Sequence, residues 1–363
     1  MQNPFVAGRS PRKSSLISLM LLALLLPLLA ACGAAAPTPT AAPSPTVATA
    51  AAPLKVALIA PNRIFDKGYV ELSWNGVQQA EKELGAQVKA VEVLDDNLVL
   101  KNVDDVVSQG YNVVVMVSPQ LHDVTIEAAK KYPKVTFIGI DHNQDEVLPN
   151  LVGLVFREDQ AGYLAGALAA SMTKTNKVGA VLGTDVIPQL WAFGEGFRKG
   201  AEDTKPGIEV TLVYHNQVEV QQSFIDPEWG RLQANTMLDK KVDVIFAAAG
   251  ATGNGTLLAI AERKSSGAMG IGVDTDQYVT LAEAQPILLS STMKQVDKGI
   301  MAILKQVGDG TIKGGNFRGT IGLAPFHDFE TKIPADVKQS LSELQQKLES
   351  GQLTIVLPDR PAK

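Results

Sequence analysis

The side chains able to bind or react in this chain fall, again and again, just after a short apolar run. KVALIA (Lys55–Ala60) gives way to Asn62, Asp66, Lys67 and Tyr69, VVVMV to Ser118, and TFIGI to Asp141. Farther along, AVLG leads into Thr184–Trp191, and VTLVY into His215–Asp226, which contains Phe224. VIFAAA leads into Gly250, GIGV into Asp274, and ILLSSTMK delivers Lys294. Carboxylates, a hydroxyl, an ammonium and aromatic rings gathered at such ends would make a pocket for a small polar ligand with a flat part. The set suits hydrogen bonding and stacking rather than bond making. The four histidines lack metal-ligand spacing, so no zinc or iron site is expected, and no cofactor. GATGNG (Gly250–Gly255) follows a late strand, lacks a terminal Lys-Ser/Thr and does not fit G-x-G-x-x-G, which makes it a poor phosphate cradle. No G-x-S-x-G elbow occurs, and no catalytic residue is expected.

Each candidate has a plainer alternative. Asp66 is equally suited to capping a helix that starts near Gly68. Tyr69 and Phe224 could plug an interface between lobes, Lys294 could pair with a nearby carboxylate, and Trp191 and Phe193 suit a core. Asp141 and Asp274 end buried strands, where an isolated carboxylate is costly unless bonded, and this favours a binding role.

The elements that must carry these residues alternate between strand and helix. KVALIA precedes a helical pattern over Gly68–Leu84, with Leu72, Gly76, Val77, Ala80 and Leu84 at helical spacing. Helices are expected at Val99–Ser108, Val124–Lys131, Glu158–Met172, Gln189–Thr204, Glu228–Leu238 and Gly253–Arg263, between strands that are mostly apolar on both faces. Strands of that kind sit in parallel sheets covered by helices, and repeated βα units give a doubly wound sheet. Ligands of such sheets bind beyond the carboxyl ends of the strands, where the polar residues lie. A change near Phe156–Glu158 divides the series into two similar lobes.

The N-terminus is a different kind of sequence. Arg9, Arg12 and Lys13 precede an apolar run over Leu16–Leu29, no acidic residue comes before Cys32, and Cys32 is the only cysteine of 363 residues. A basic n-region, a short h-region and small residues at the exit make a secretory signal over 1–31. Leu29-Ala30-Ala31-Cys32 resembles the bacterial lipobox, which implies lipidation of Cys32 on sulfur. A single cysteine allows no intramolecular disulfide. The Ala/Pro/Thr/Ser-rich stretch that follows, within 32–53, has no charge and no apolar face, so it is expected to stay an unfolded tether. At a polyproline rise of ~3.1 Å per residue it would reach about 65 Å. The whole chain has a formal net charge of −5, and the body without the three leader cations has an acidic excess of eight, which disfavours a nucleic-acid partner.

Several longer stretches recur in one order. They are DKGYVELSWNG (Asp66–Gly76), KKYPKVTFIGID (Lys130–Asp141), NLVGLVFREDQAGYLAGALAA (Asn150–Ala170), SFID (Ser223–Asp226), DVIFAAAGATGNG (Asp243–Gly255), IGVDTDQ (Ile271–Gln277) and SSTMKQVD (Ser290–Asp297). Together they resemble the basic membrane protein family, which includes purine nucleoside receptor lipoproteins, over about Leu54 to Leu323. The resemblance implies a type I periplasmic-binding fold with two doubly wound parallel-sheet lobes and a three-strand hinge. It puts lobe 1 at 54–157 with 294–325, and lobe 2 at 158–293 with 326–357. It further implies a monomeric, non-enzymatic substrate-binding lipoprotein of an ABC importer, lipid-anchored on the outer face of the cell membrane, which hands a nucleoside-like ligand to permease and ATPase subunits. By the same resemblance Tyr69 and Phe224 stack on the base, Asp141 reads its edge, and Gly250, Asp274 and Lys294 hold the ribose. Val70 replaces a motif asparagine, and HNQVEVQQ lengthens the approach to Phe224. A receptor for a sugar or other small metabolite on the same fold, or a membrane-anchored sensor, are the alternatives.

Overall fold

The computed structural model describes residues 53–360 except Asn62, so the expected signal, Cys32, nearly all of the tether and Asn62 lie outside the described residues. No helix of the described residues is long and apolar enough to cross a membrane.

The body opens with β1 (Lys55–Ala60), α1 (Tyr69–Leu84), β2 (Gln87–Glu92), α2 (Val99–Ser108), β3 (Val113–Met116), α3 (His122–Lys131), β4 (Thr136–Ile140) and β5 (Leu151–Val155). A second series follows as α4 (Glu158–Met172), β6 (Lys177–Leu182), α5 (Pro188–Thr204), β7 (Glu209–Tyr214), α6 (Pro227–Asp239), β8 (Val244–Ala248), α7 (Gly250–Glu262), β9 (Met269–Asp274), the short α8 (Gln277–Thr280) and β10 (Leu288–Lys294). The chain then runs through α9 (Val296–Gly308), β11 (Gly315–Arg318), β12 (Ile321–Leu323) and α10 (Ala335–Glu349).

Two six-stranded sheets result, in the orders β11-β5-β4-β3-β1-β2 and β12-β10-β9-β8-β6-β7. Strands β6 to β10 repeat the arrangement of β1 to β5, place for place. Every residue of β3 and β8 is buried, as expected for parallel strands sandwiched between helices. Separate apolar clusters fill the outer side of each sheet, one around Phe137, Val114 and Met116 and the other around Ile245, Leu257 and Ile260.

The sheets differ at their sixth strand. β11 runs parallel to β5, whereas β12 runs antiparallel to β10 and pairs Ile321 with Lys294. Lobe 1 therefore ends sooner than the expected residue 325, between Arg318 and Ile321, and Lys294 belongs to the second sheet rather than opening the return to the first. A three-residue strand carries no periodic signal, which is why the boundary was not visible in the sequence. Three segments cross between the lobes, at Phe156–Arg157, Gln295 and Gly319–Thr320. They are bonded to one another: Gly319 N–H donates to Val155 O at 2.9 Å and Gln295 N–H to Thr320 O at 3.0 Å. Helix α10 lies with the second lobe, where Gln160 Nε2 of α4 donates to Leu348 O at 3.1 Å.

Candidate functional site

The carboxyl ends of both sheets face one cavity of about 670 Å³. Asp66, Tyr69, Ser118, Asp141, Phe224, Gly250, Asp274 and Lys294 all line it, so the strand-end positions picked from the sequence converge on one place. The two departures noted above meet there as well: Val70 lines the wall, with Glu219, Gln221 and Gln222 from the lengthened segment.

Backbone geometry sets how these side chains are presented. Asp141 and Asp274 hold left-handed backbone, at φ 64° and 65°, as does Ser118 at φ 92°. Non-glycine residues visit this region rarely, and such strain gathers at functional sites. Gly250 has φ +56°, and a Cβ there would come within 3.2 Å of Phe224 O, so the turn that opens α7 needs glycine. Behind Asp141, the buried His142 accounts for the Ser118 turn, its Nε2 donating to Ser118 O at 2.7 Å. Burial lowers its pKa to about 4, which keeps the ring neutral.

Charge in the cavity is organised around Lys294, which is 2 % exposed. Its Nζ donates to Asp141 Oδ1 at 2.8 Å and Oδ2 at 2.7 Å. The same Nζ lies 2.9 Å from Glu158 Oε1, close enough for an ion pair although the direction is not that of a hydrogen bond. The rings of Tyr69 and Phe156 lie 5.3 and 4.8 Å from it. Burial disfavours the ammonium, but Asp141, Glu158 and Asp274 outweigh that effect and hold Lys294 above the usual lysine range. Tyr69 Oη donates to Asp141 Oδ2 at 2.9 Å, and burial together with Asp141 keeps the phenol well above its ordinary pKa.

The plainer alternatives are visible as well. Lys294, on the cavity wall, is paired with Asp141 and Glu158. Asp141 receives hydrogen bonds from Lys294 and Tyr69 while lining the cavity. Asp66 caps α1: Oδ1 accepts from Gly68 N–H at 2.9 Å and Glu71 N–H at 3.1 Å, and Oδ2 from Val70 N–H at 3.1 Å. Burial nevertheless raises its pKa against those three bonds.

Asp274 is the exception. Its carboxylate has no hydrogen-bond or ion-pair partner among the described residues, and it lines the cavity. Burial pushes its pKa up to about 7; Lys294 works against that rise, while Asp141, Asp66 and Glu158 add to it. A carboxylate in this state will accept strongly from any donor brought into the cavity.

The sequence reading missed Glu158, Gln189 and Phe193. Glu158 opens α4 just beyond β5, the place that Lys294 holds at the end of β10, and that repeat was the available signal. Burial raises the Glu158 pKa and Lys294 lowers it. Gln189 Nε2 crosses the cleft to donate to Asp141 O at 3.0 Å. Phe193, assigned to the core, is buried against Phe246 and also lines the cavity. Trp191 stacks on Tyr214 instead.

The lobes touch along the cleft through lobe 2 side chains. Gln221 Nε2 donates to Pro61 O, Asn254 Nδ2 to Asp66 O at 3.2 Å, and Thr280 Oγ1 to Lys67 O at 3.0 Å, beside the Gln189 contact. Tyr69 and Phe224 reach the cavity from opposite lobes. Among the described residues no group of acidic or histidine side chains is placed to hold a metal ion.

Residues 54–324 match the family model described as Bmp, ABC transporter substrate-binding protein PnrA-like. The chain is 29 % identical over 280 residues to the ABC transporter nucleoside-binding protein BmpA of Lactococcus lactis, a match that covers 72 % of this chain and 77 % of that one. It is 30 % identical over 267 residues to an uncharacterised lipoprotein of Pyrococcus horikoshii, covering 71 % and 64 %. Among solved structures, an ABC transporter solute-binding protein of Aeropyrum pernix superposes with a TM-score of 0.75 at 24 % identity, over 84 % of this chain and 94 % of that one. The chain belongs to the Bmp family: it is an ABC transporter substrate-binding protein with the type I fold, and not an enzyme.

Proposed function

We propose that this substrate-binding protein captures a nucleoside-like ligand, a purine nucleoside by preference, between its two lobes and delivers it to an ABC permease. In this reading Tyr69 and Phe224 flank the base, and Asp274 accepts from the sugar hydroxyls. Lys294 holds Asp141 and Glu158 as a fixed charged wall rather than binding the sugar itself. The observation that carries the reading is Asp274, an unpaired carboxylate on a cavity flanked by aromatics from both lobes. The name of the Lactococcus relative supports the nucleoside class. Cleft closure excludes water, so ligand occupancy favours the closed form without any covalent step. Cys32 supplies a lipid anchor on the outer membrane face, in keeping with the lipoprotein name of the Pyrococcus relative.

One experiment addresses both parts. Full chain and its Cys32→Ser variant are fractionated from cells, and each is titrated with adenosine, 2′-deoxyadenosine and ribose. The variant should leave the membrane fraction and still bind adenosine. A hydrogen bond to a charged group is worth about 1.5–3 kcal/mol, so loss of the 2′-hydroxyl should weaken binding roughly tenfold or more. Binding of ribose but not adenosine by folded protein would replace this reading with that of a sugar receptor.

A further inference from the structure

Asp274 sits at the end of a hydrogen-bonded chain that leaves the cavity wall and ends on the other lobe. Val273 N–H, one residue before Asp274, donates to Gln277 Oε1 at 2.9 Å. Gln277 Nε2 donates to Asn254 Oδ1 at 2.7 Å, and Asn254 Nδ2 donates across the cleft to Asp66 O at 3.2 Å. The direction of this chain is not arbitrary. A backbone N–H can only donate, so Gln277 must turn its oxygen to Val273 and its nitrogen to Asn254. Asn254 must then turn its oxygen to Gln277, which leaves only its NH₂ for the Asp66 carbonyl.

The middle of the chain is held firmly. Gln277 is 2 % exposed, and its own N–H donates to Ser291 Oγ at 3.1 Å. A Cβ on Gly272 would lie 2.5 Å from both Gln277 Oε1 and Ser291 Oγ, so that strand position must lack a side chain for Gln277 to fit. The far end is equally specific. Asp66 is the residue whose side chain caps α1, and α1 begins at Tyr69 on the cavity wall.

We propose that Asn254 and Gln277 are positioning residues that make cleft closure and the presentation of Asp274 a single event. When lobe 1 closes, Asp66 O completes the chain, and the backbone that carries Asp274 is fixed at the moment that the turn before Tyr69 is fixed. When the lobes part, Asn254 loses its acceptor, and both walls loosen together. Neither residue touches the ligand, since neither lines the cavity. The proposal rests on the nucleoside reading only for the choice of probe.

The test uses full-length protein with Asn254→Ala, Asn254→Asp, Gln277→Met and the Ala/Met double variant, with adenosine as the probe. Asn254→Asp is the decisive change. It is nearly isosteric and still accepts from Gln277, but it turns a second oxygen toward Asp66 O. A packing role would tolerate it, whereas the relay requires a loss of affinity at least as large as that of Asn254→Ala, about tenfold, carried by faster dissociation. Gln277→Met should lose about as much, and the double variant no more than either alone, because members of one network are not additive. Multiplying losses in the double variant, or an unchanged Kd in Asn254→Asp, would overturn the proposal. Should Gln277→Met fail to fold, the Asp-against-Ala comparison at Asn254 decides alone. Amide exchange of ligand-free protein separates this idea from the choice of ligand. Asn254→Asp should speed exchange at both Val273 and the Gly68–Glu71 turn several-fold even if adenosine does not bind, and unchanged exchange at both would refute the relay.

Discussion

Asp141 and Asp274 occupy matching places in the two lobes, at the ends of β4 and β9, with almost the same left-handed backbone. Their surroundings differ because the next strand exits differ in sign. Just past the crossing that follows β5 the chain places Glu158, at the start of α4; at the end of β10 it places Lys294. Lys294 reaches across the cleft to Asp141 of the first lobe and pairs as well with Glu158 on its own lobe, so the first-lobe carboxylate is satisfied by the protein itself. Asp274 receives no such partner, and burial leaves its pKa near neutrality. One carboxylate has become part of the wall, and its counterpart remains open to a ligand. Matching folds therefore do not imply matching roles, since a single change of charge type at one strand end decides which aspartate is available.

The largest effect should come from removing the cation. Lys294→Met leaves Asp141 and Glu158 buried without compensation, and breaking a buried pair in this way costs about 3–5 kcal/mol. Chemical denaturation at pH 7 should show a loss on that scale, and a loss below about 1 kcal/mol would mean that the Asp141 carboxylate does not depend on Lys294 after all.

Asp274→Asn should do the reverse. Unliganded stability should stay the same or rise at pH 7, while adenosine affinity falls roughly tenfold or more. The pH dependence follows from the same group. Its folded pKa is about 7 against ~3.9 when exposed, so between those values the unfolded chain gives up the proton that the folded chain keeps. Asp274 therefore erodes stability as pH rises from about 4 to about 7, with no further change above. Ligand donors prefer the carboxylate, so affinity should climb over the approach to pH 7 with release of a proton. Asp274→Asn should flatten both trends, and equally steep profiles in the variant would assign the titration to another group.

The smallest effect is expected from Tyr69→Phe. It removes a single bond to Asp141, worth about 1 kcal/mol, while Lys294 stays in place and the ring surface is kept. Adenosine affinity should change by less than about fivefold. A large loss would show that Asp141 is less independent of the ligand than its pairing suggests.

Strand and helix order was legible because apolar runs and helical spacing are local properties. The α2 span, Val99–Ser108, and the α4 span, Glu158–Met172, agree with the sequence reading residue for residue. The edge strands β11 and β12 were not legible, since four- and three-residue segments are set by what they pair with rather than by their own pattern. In the site, strand ends told which residues would meet. They could not tell which would bond to which: Asp66 turned inward to α1, and Lys294 crossed to Asp141 because of side-chain reach and burial. Nor could spacing reveal the left-handed backbone at Asp141 and Asp274, which aspartate tolerates but does not announce.

The contacts that draw the cleft shut are lopsided, and that bears on how the protein can drift. Gln189, Gln221, Asn254 and Thr280 all belong to the second lobe, and each donates to a main-chain carbonyl of the first, at Asp141, Pro61, Asp66 and Lys67. A carbonyl is supplied by any amino acid. Away from Asp141, whose carboxylate also takes Lys294 across the cleft, substitutions on the first-lobe lip can therefore accumulate without erasing the acceptors, provided that the backbone path is kept. The donors enjoy no such protection, because each depends on one side-chain amide or hydroxyl. Apart from the Lys294–Asp141 pair, variation that retunes how readily the cleft shuts is thus channelled to those four positions on one lobe, while the rest of the opposite lip is left free to change the shape and polarity of what it admits.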